Sequence, residues 1–134
     1  MTLYVDASAF IKRYTLEPGR TECEATMLAD PTWVTARHTL VEVRRNLARV
    51  VIAQQLDDAM QTFNEDWART RIVELDAATC AIAADLAVET GARTLDALHL
   101  AAAWRGGASA ITFLTFDIRL ARHARELGFR TLGA

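Results

Sequence analysis

"LYVDASAFIKRY", residues 3–14, decides the fold: a short apolar run stops at an aspartate, Asp6, and a helical pattern begins immediately behind it. Leu3, Tyr4 and Val5 have the apolar, branched and aromatic character of a buried strand. Ala7 to Tyr14 read as a short helix that ends before Pro18 and Gly19. A strand feeding straight into a helix opens a sheet covered by helices. Asp6 therefore stands at the carboxyl end of a strand, where open parallel sheets bind their ligands. The same place suits an aspartate that merely caps a helix.

Outward from this stretch the alternation continues. "RTECEATMLAD" (20–30) is a second helix with Cys23, Met27 and Leu28 on one side, broken at Asp30-Pro31. "TWVTA" (32–36) reads as a strand. "HTLVEVRRNLARVVIAQ" (38–54) reads as a long helix with Leu40, Val43, Leu47 and Val50 at helical spacing. An amphipathic helix is expected from about Asp57 to Thr70, then a strand in "RIVEL" (71–75) and an alanine-rich helix capped by Asp76 and ended by Gly91. "TLDALHLAAAWRGG" (94–107) is helical, "AITFLTFD" (110–117) a strand, "IRLARHARELGF" (118–129) helical and "RTL" (130–132) a last short strand. The expectation is an α/β fold with a central parallel sheet of about five strands flanked by helices.

Size and composition agree. With 134 residues and 51% hydrophobic side chains the chain can bury one real core, so a single domain over residues 1–134 is expected. The formal charge of -2 excludes a protein that coats nucleic acid by bulk charge; a polyanionic partner needs a local basic patch. All the basic residues except Lys12 are arginines, the side chain suited to bidentate phosphate contacts, although a general bias toward Arg and Ala explains this equally. Cys23 and Cys80 lack the spacing of a zinc site or disulfide framework and are expected to pack as small apolar residues. With neither a signal-like start nor a run of ~20 apolar residues, a reduced cytoplasmic setting without membrane contact is expected.

Four carboxylates stand out. Asp6 and Asp117 end apolar strands, Asp96 lies in the first turn of its helix, and Glu42 lies within the long helix between Val41 and Val43. Helix capping accounts for Asp6, Asp96 and Asp117 taken singly as well as chemistry does. Glu42, read as well inside a helix, cannot cap; an ion pair with Arg45 or Arg49, or a contact to Asn46, is the alternative to a functional role. Four converging acids without an obligatory His or Cys suit a hard divalent cation, Mg²⁺ or Mn²⁺, whose waters can serve phosphodiester hydrolysis.

These residues resemble a known family. "LYVDASAFIKRY", Glu42 in "LVEVRRNL", Asp96 in "TLDALHLAAA" and Asp117 in "FLTFDIRLARHARELGF" are similar, in order and over nearly the whole chain, to the motifs of PIN-domain ribonucleases, above all VapC-type toxins of toxin–antitoxin pairs. The resemblance implies five parallel strands and a Mg²⁺- or Mn²⁺-dependent endoribonuclease. It implies further a homodimer inhibited by a cognate VapB-type antitoxin that covers its groove. Asp6, Glu42, Asp96 and Asp117 would be the metal-binding acids, with Ser8 and Thr115 as supporting residues. The last two serve equally as helix-start hydrogen bonders.

Arg13, Arg44, Arg45 and Arg49 are candidates for RNA or antitoxin contact, or simply a solvated face. His99, three residues beyond Asp96, reads as a packed, hydrogen-bonded histidine before a ligand. Trp33, Trp67 and Trp104 read as core or interface anchors, and Val50, Val51 and Ile52 as core or dimer contact. Rival α/β classes fit less well. A phosphatase of the haloacid-dehalogenase kind needs an acid where Ser8 stands, a receiver domain needs a late lysine, and no glycines have phosphate-loop spacing. The non-enzymatic alternative is a PIN-like protein-binding module without catalysis.

Overall fold

The computed structural model describes residues 2–30 and 32–134, so Pro31, expected to help break the second helix, lies outside the described residues. The element order is β1 (Thr2–Val5), α1 (Ala7–Tyr14), α2 (Arg20–Ala29), β2 (Trp33–Ala36), α3 (Thr39–Val50), α4 (Ala53–Ala68), β3 (Arg71–Val73), α5 (Ala77–Thr90), α6 (Thr94–Gly107), a 3₁₀ turn (Ala108–Ala110), β4 (Ile111–Thr115), α7 (Ile118–Glu126) and β5 (Arg130–Gly133). The strands form one parallel sheet in the order β3-β2-β1-β4-β5.

β1 is the centre and carries the topology. The chain first winds away from it through β2 and β3, then returns to add β4 and β5 on its other side, so the strand order reverses between β1 and β4. A crevice outside the carboxyl ends of strands at such a reversal is where α/β sheets hold ligands. Both faces are covered, which is why β1, β2 and β4 are apolar almost throughout rather than alternating. Tyr4, Val34, Leu100, Phe113 and Leu120 form one buried cluster with α5, α6 and α7. Leu3, Val5, Phe10, Met27, Leu47 and Phe63 form the other with α1 to α4.

Several expectations change. α3 stops at Val50 and α4 already begins at Ala53, because Val51 and Ile52 take extended backbone. Three successive β-branched residues favour that conformation over a continued helix. At its other end α3 starts at Thr39, so Glu42 lies in the first turn, not deep within the helix, though it makes no capping hydrogen bond. Cys23 is buried as expected, but Cys80 is exposed. Leu28 and Val50, read on apolar faces, are 60% and 61% exposed. Trp33 is buried with its indole N–H on the Met27 carbonyl, Trp67 is half-buried, and Trp104 is exposed against Phe129.

α1 is clamped to α4 by a buried ion pair. The Asp66 carboxylate, almost wholly inaccessible, accepts from Arg13 Nε (2.8 Å), the Tyr14 hydroxyl (2.6 Å) and Arg69 (2.9 Å). No described helix is long and apolar enough to cross a membrane.

Candidate active site

Asp6 leaves β1 and caps α1, taking the Ala9 N–H at 3.0 Å on Oδ1. Oδ1 also accepts from Ser8 Oγ (2.7 Å), and Oδ2 from Thr115 Oγ1 (2.6 Å) at the end of the neighbouring β4. Thr115 Oγ1 in turn accepts from the Asp117 N–H (3.0 Å), while Ser8 Oγ accepts from the Phe116 N–H (2.9 Å). Two hydroxyls therefore lock the β1–α1 and β4–α7 junctions together and fix Asp6 relative to Asp117. Asp117 caps α7 through the Arg119 and Leu120 N–H groups, both on Oδ1. Capping and site formation are thus one geometry at Asp6 and Asp117, not alternatives.

Asp6, Glu42, Asp96 and Asp117 line one cleft of about 310 Å³, together with Ser8, Lys12 and His99. Its electrostatics are unbalanced. Burial raises the Asp6 carboxyl above its ordinary value despite the opposing charge of His99 and three hydrogen bonds. Asp96 is raised too, by burial first and then by Asp117. Neither makes an ion pair among the described residues. Carboxylates left without an ion pair are the donor chemistry of a hard divalent cation.

Glu42 behaves differently. Burial opposes its ionisation, yet the hydrogen bond and charge of His99, with a smaller contribution from His38, hold it below the usual range. His99 Nε2 lies 2.7 Å from Glu42 Oε1, and its Nδ1 lies 2.6 Å from the Tyr4 hydroxyl. His99 is buried, which disfavours its charge, but Glu42, Asp6 and Asp96 outweigh that and raise it. His38 lies 3.4 Å from the same Glu42 oxygen and is lowered to about 4 by burial and by His99, so it is neutral. The Glu42 partners are these histidines, and the pairs with Arg45 and Arg49 weighed as the alternative to a functional role are not formed among the described residues; Asn46 reaches only the Glu42 carbonyl. Among the described residues, His38, Glu42 and His99 are the group whose ligand atoms all lie within 4.8 Å of one another. The four carboxylates are spaced more widely around the cleft.

The arginines expected to meet RNA or antitoxin divide. Arg13 is committed to Asp66 and Glu24 inside the fold. Arg44 bonds Asn64, while Arg45 and Arg49 are exposed on α3; none of the four lines the cleft. Sequence reasoning passed over Lys12, Arg93 and Arg119, which do line the cleft or the cavity adjoining it. Their only signal was proximity to the acids, six residues after Asp6, three before Asp96 and two after Asp117.

A five-stranded parallel α/β sheet with an acidic cleft at its reversal point defines a class, and the family model of the PIN domain matches residues 3–126: the chain belongs to the PIN-domain family. It is 34% identical over 137 residues to Ribonuclease VapC45 of Mycobacterium tuberculosis, covering 98% of this chain and 95% of that one. Among solved structures it resembles VapC20 of Mycobacterium tuberculosis, a Sarcin-Ricin loop cleaving toxin (TM-score 0.74, 18% identity, 98% and 99% of the two chains). A toxin-antitoxin complex from Klebsiella pneumoniae is also similar (TM-score 0.67, 18% identity, 87% of each chain).

Proposed function

We propose that the chain is a VapC-type toxin: an endoribonuclease that hydrolyses RNA phosphodiester bonds with Mg²⁺ or Mn²⁺ and is held inactive in the cytoplasm by a cognate VapB-type antitoxin. The observation that carries this reading is the convergence of Asp6, Glu42, Asp96 and Asp117 on one cleft where Asp6 and Asp96 make no ion pair among the described residues. These four residues would hold the cation. When bound, it would supply a water of lowered pKa and polarise the scissile phosphate.

The protein's own part is positioning. Ser8 and the Ala9 N–H occupy Asp6 Oδ1, while Thr115 fixes Oδ2 and leaves it a lone pair for a further partner. His99 occupies Glu42 Oε1 and leaves Oε2 without a hydrogen bond among the described residues. No imidazole needs to act as acid or base in hydrolysis of the P–O3′ bond, so the products carry a 5′-phosphate and a 3′-hydroxyl.

An apolar groove of about 430 Å³, lined by Ile11, Tyr14, Leu16, Val50, Val51 and Ile52, adjoins the cleft and shares Ile11, Glu17 and Asn46 with it. It suits the apolar face of an antitoxin helix that would cover the cleft at the same time. A homodimer is the expected state of the free toxin.

The test is incubation of antitoxin-free protein with a structured-RNA panel in Mg²⁺, Mn²⁺ or EDTA, beside Asp6→Asn. Cutting that needs the cation, leaves 5′-phosphate ends and vanishes in the variant is the expected result. Wild type that neither cuts nor binds Mn²⁺ would replace the nuclease with a binding module.

A further inference from the structure

The acids are flanked by a second cavity, of about 430 Å³, lined by Glu42, Arg93, Thr94, Leu95, Asp96, Asp117 and Arg119. It shares Glu42, Asp96 and Asp117 with the cleft, so these three acids form a ridge between two hollows. On the cleft side stand His99, held by Glu42, and Lys12, whose ammonium already donates to the Pro18 carbonyl at 3.0 Å. On the other side stand two guanidinium groups.

Arg93 and Arg119 are exposed, and neither side chain makes a hydrogen bond or ion pair with a described residue, although three carboxylates line the same cavity. Arg45, Arg49 and Arg130 are exposed and unpaired among the described residues as well, but they line neither the cleft nor this cavity. Arg13, Arg37, Arg69 and Arg105 are tied to acids, and Arg71 to a backbone carbonyl. Both cavity arginines have defined roots: Arg93 is the residue from which α6 starts, with Asp96 one turn on, and Arg119 lies in the first turn of α7, its N–H held by Asp117. A change in backbone position of either acid therefore carries its neighbouring arginine along.

We propose that Arg93 and Arg119 form a phosphate-binding subsite that grips the RNA backbone beside the scissile position, so that the strand crosses the acid ridge with one flanking phosphate in this cavity. The inference rests on the nuclease reading above. Guanidinium matches phosphate oxygens in a bidentate fork, and a phosphate there offsets the charge that two arginines place beside a cation-loaded ridge. The ridge supplies the chemistry and the arginines the register; positioning by phosphate contacts, without reading the base, is how such groups act.

The experiment uses the full-length protein and a short single-stranded fluorescein-labelled oligouridylate, with anisotropy in EDTA at several salt concentrations and cleavage in Mn²⁺. Arg93→Gln and Arg119→Gln are compared with Arg130→Gln, an exposed arginine that starts β5 at the opposite end of the sheet and removes the same bulk charge. Each cavity variant is expected to weaken binding roughly tenfold and to lower the slope of log K against log salt by about 0.7. Mn²⁺ affinity by calorimetry stays unchanged, while Arg130→Gln matches wild type in every readout. If wild type binds and cuts but both cavity variants behave like Arg130→Gln, the subsite is wrong and the nuclease stands. If wild type itself neither binds nor cuts RNA, the nuclease reading falls first. Variants that keep RNA binding but lose self-association would assign the cavity to a second copy of this chain instead, and would likewise overturn the subsite.

Discussion

Asp66→Ala isolates the clamp between α1 and α4, and with it the support beneath Asp6. The substitution removes the acceptor of Arg13 Nε, the Tyr14 hydroxyl and Arg69. Arg69 is about half exposed and regains water, so its loss counts for little. Arg13 is 11% exposed and keeps Glu24 at 3.3 Å with the Tyr14 and Trp33 rings, so its charge is left largely buried and without its nearest carboxylate. Removing one partner of such a pair costs about 3–5 kcal/mol, a large share of the ~5–15 kcal/mol that a domain of this kind possesses.

Urea unfolding followed by circular dichroism should show the unfolding free energy falling by that amount, with a lower midpoint and an unchanged slope. The effect has a sign in pH. Burial works against the Asp66 charge, but hydrogen bonds from Arg13, Tyr14 and Arg69 hold its folded pKa below the ordinary value. Its contribution is therefore complete above about pH 4 and is lost as pH falls toward that lowered value. The gap between wild type and variant should narrow in acid. A cost below about 1 kcal/mol at neutral pH, or a gap that widens in acid, would refute the reasoning.

Three further outcomes are expected. His99→Leu should lower Mn²⁺ affinity and cleavage by about 10–100-fold by freeing the Glu42 carboxylate, whereas His99→Gln, which keeps a donor, should recover much of the loss by calorimetry and turnover. Gly133 has φ +100°, and a Cβ there would lie 2.2 Å from the Thr115 carbonyl oxygen, so Gly133→Ala should cost more than about 1 kcal/mol in thermal unfolding. Through Thr115, which holds Asp6 Oδ2, it should also reduce turnover. Mn²⁺ at a hundredfold excess over its Kd should stabilise wild type by about 2.7 kcal/mol in the same melt, and Asp6→Asn should lose most of that gain.

The strand ends were readable because their signals are local. An apolar run stopping at Asp6 or ending in Thr115, Phe116 and Asp117 announces both the strand and the carboxylate beyond it, and the parallel sheet follows from the alternation with helices. The break after Val50 was not readable from the apolar period, since Val51 and Ile52 continue the pattern while their branching favours extended backbone. The Glu42 environment was hidden for a different reason. Its neighbours on the helix face pointed to Arg45 and Arg49, but the partner that holds its charge, His99, comes from α6, 57 residues away. Arg13 likewise looked like a surface cation because nothing near it in sequence revealed Asp66. Side chains whose partners arrive through tertiary packing carry no local signature of it.

The most direct test of the account is anomalous diffraction from crystals soaked in Mn²⁺. The account predicts a manganese peak in the cleft ligated by carboxylates from among Asp6, Glu42, Asp96 and Asp117, and no peak there in Asp6→Asn. Manganese bound instead by His38 and His99, or a cleft that stays empty in protein still able to cut RNA, would contradict it.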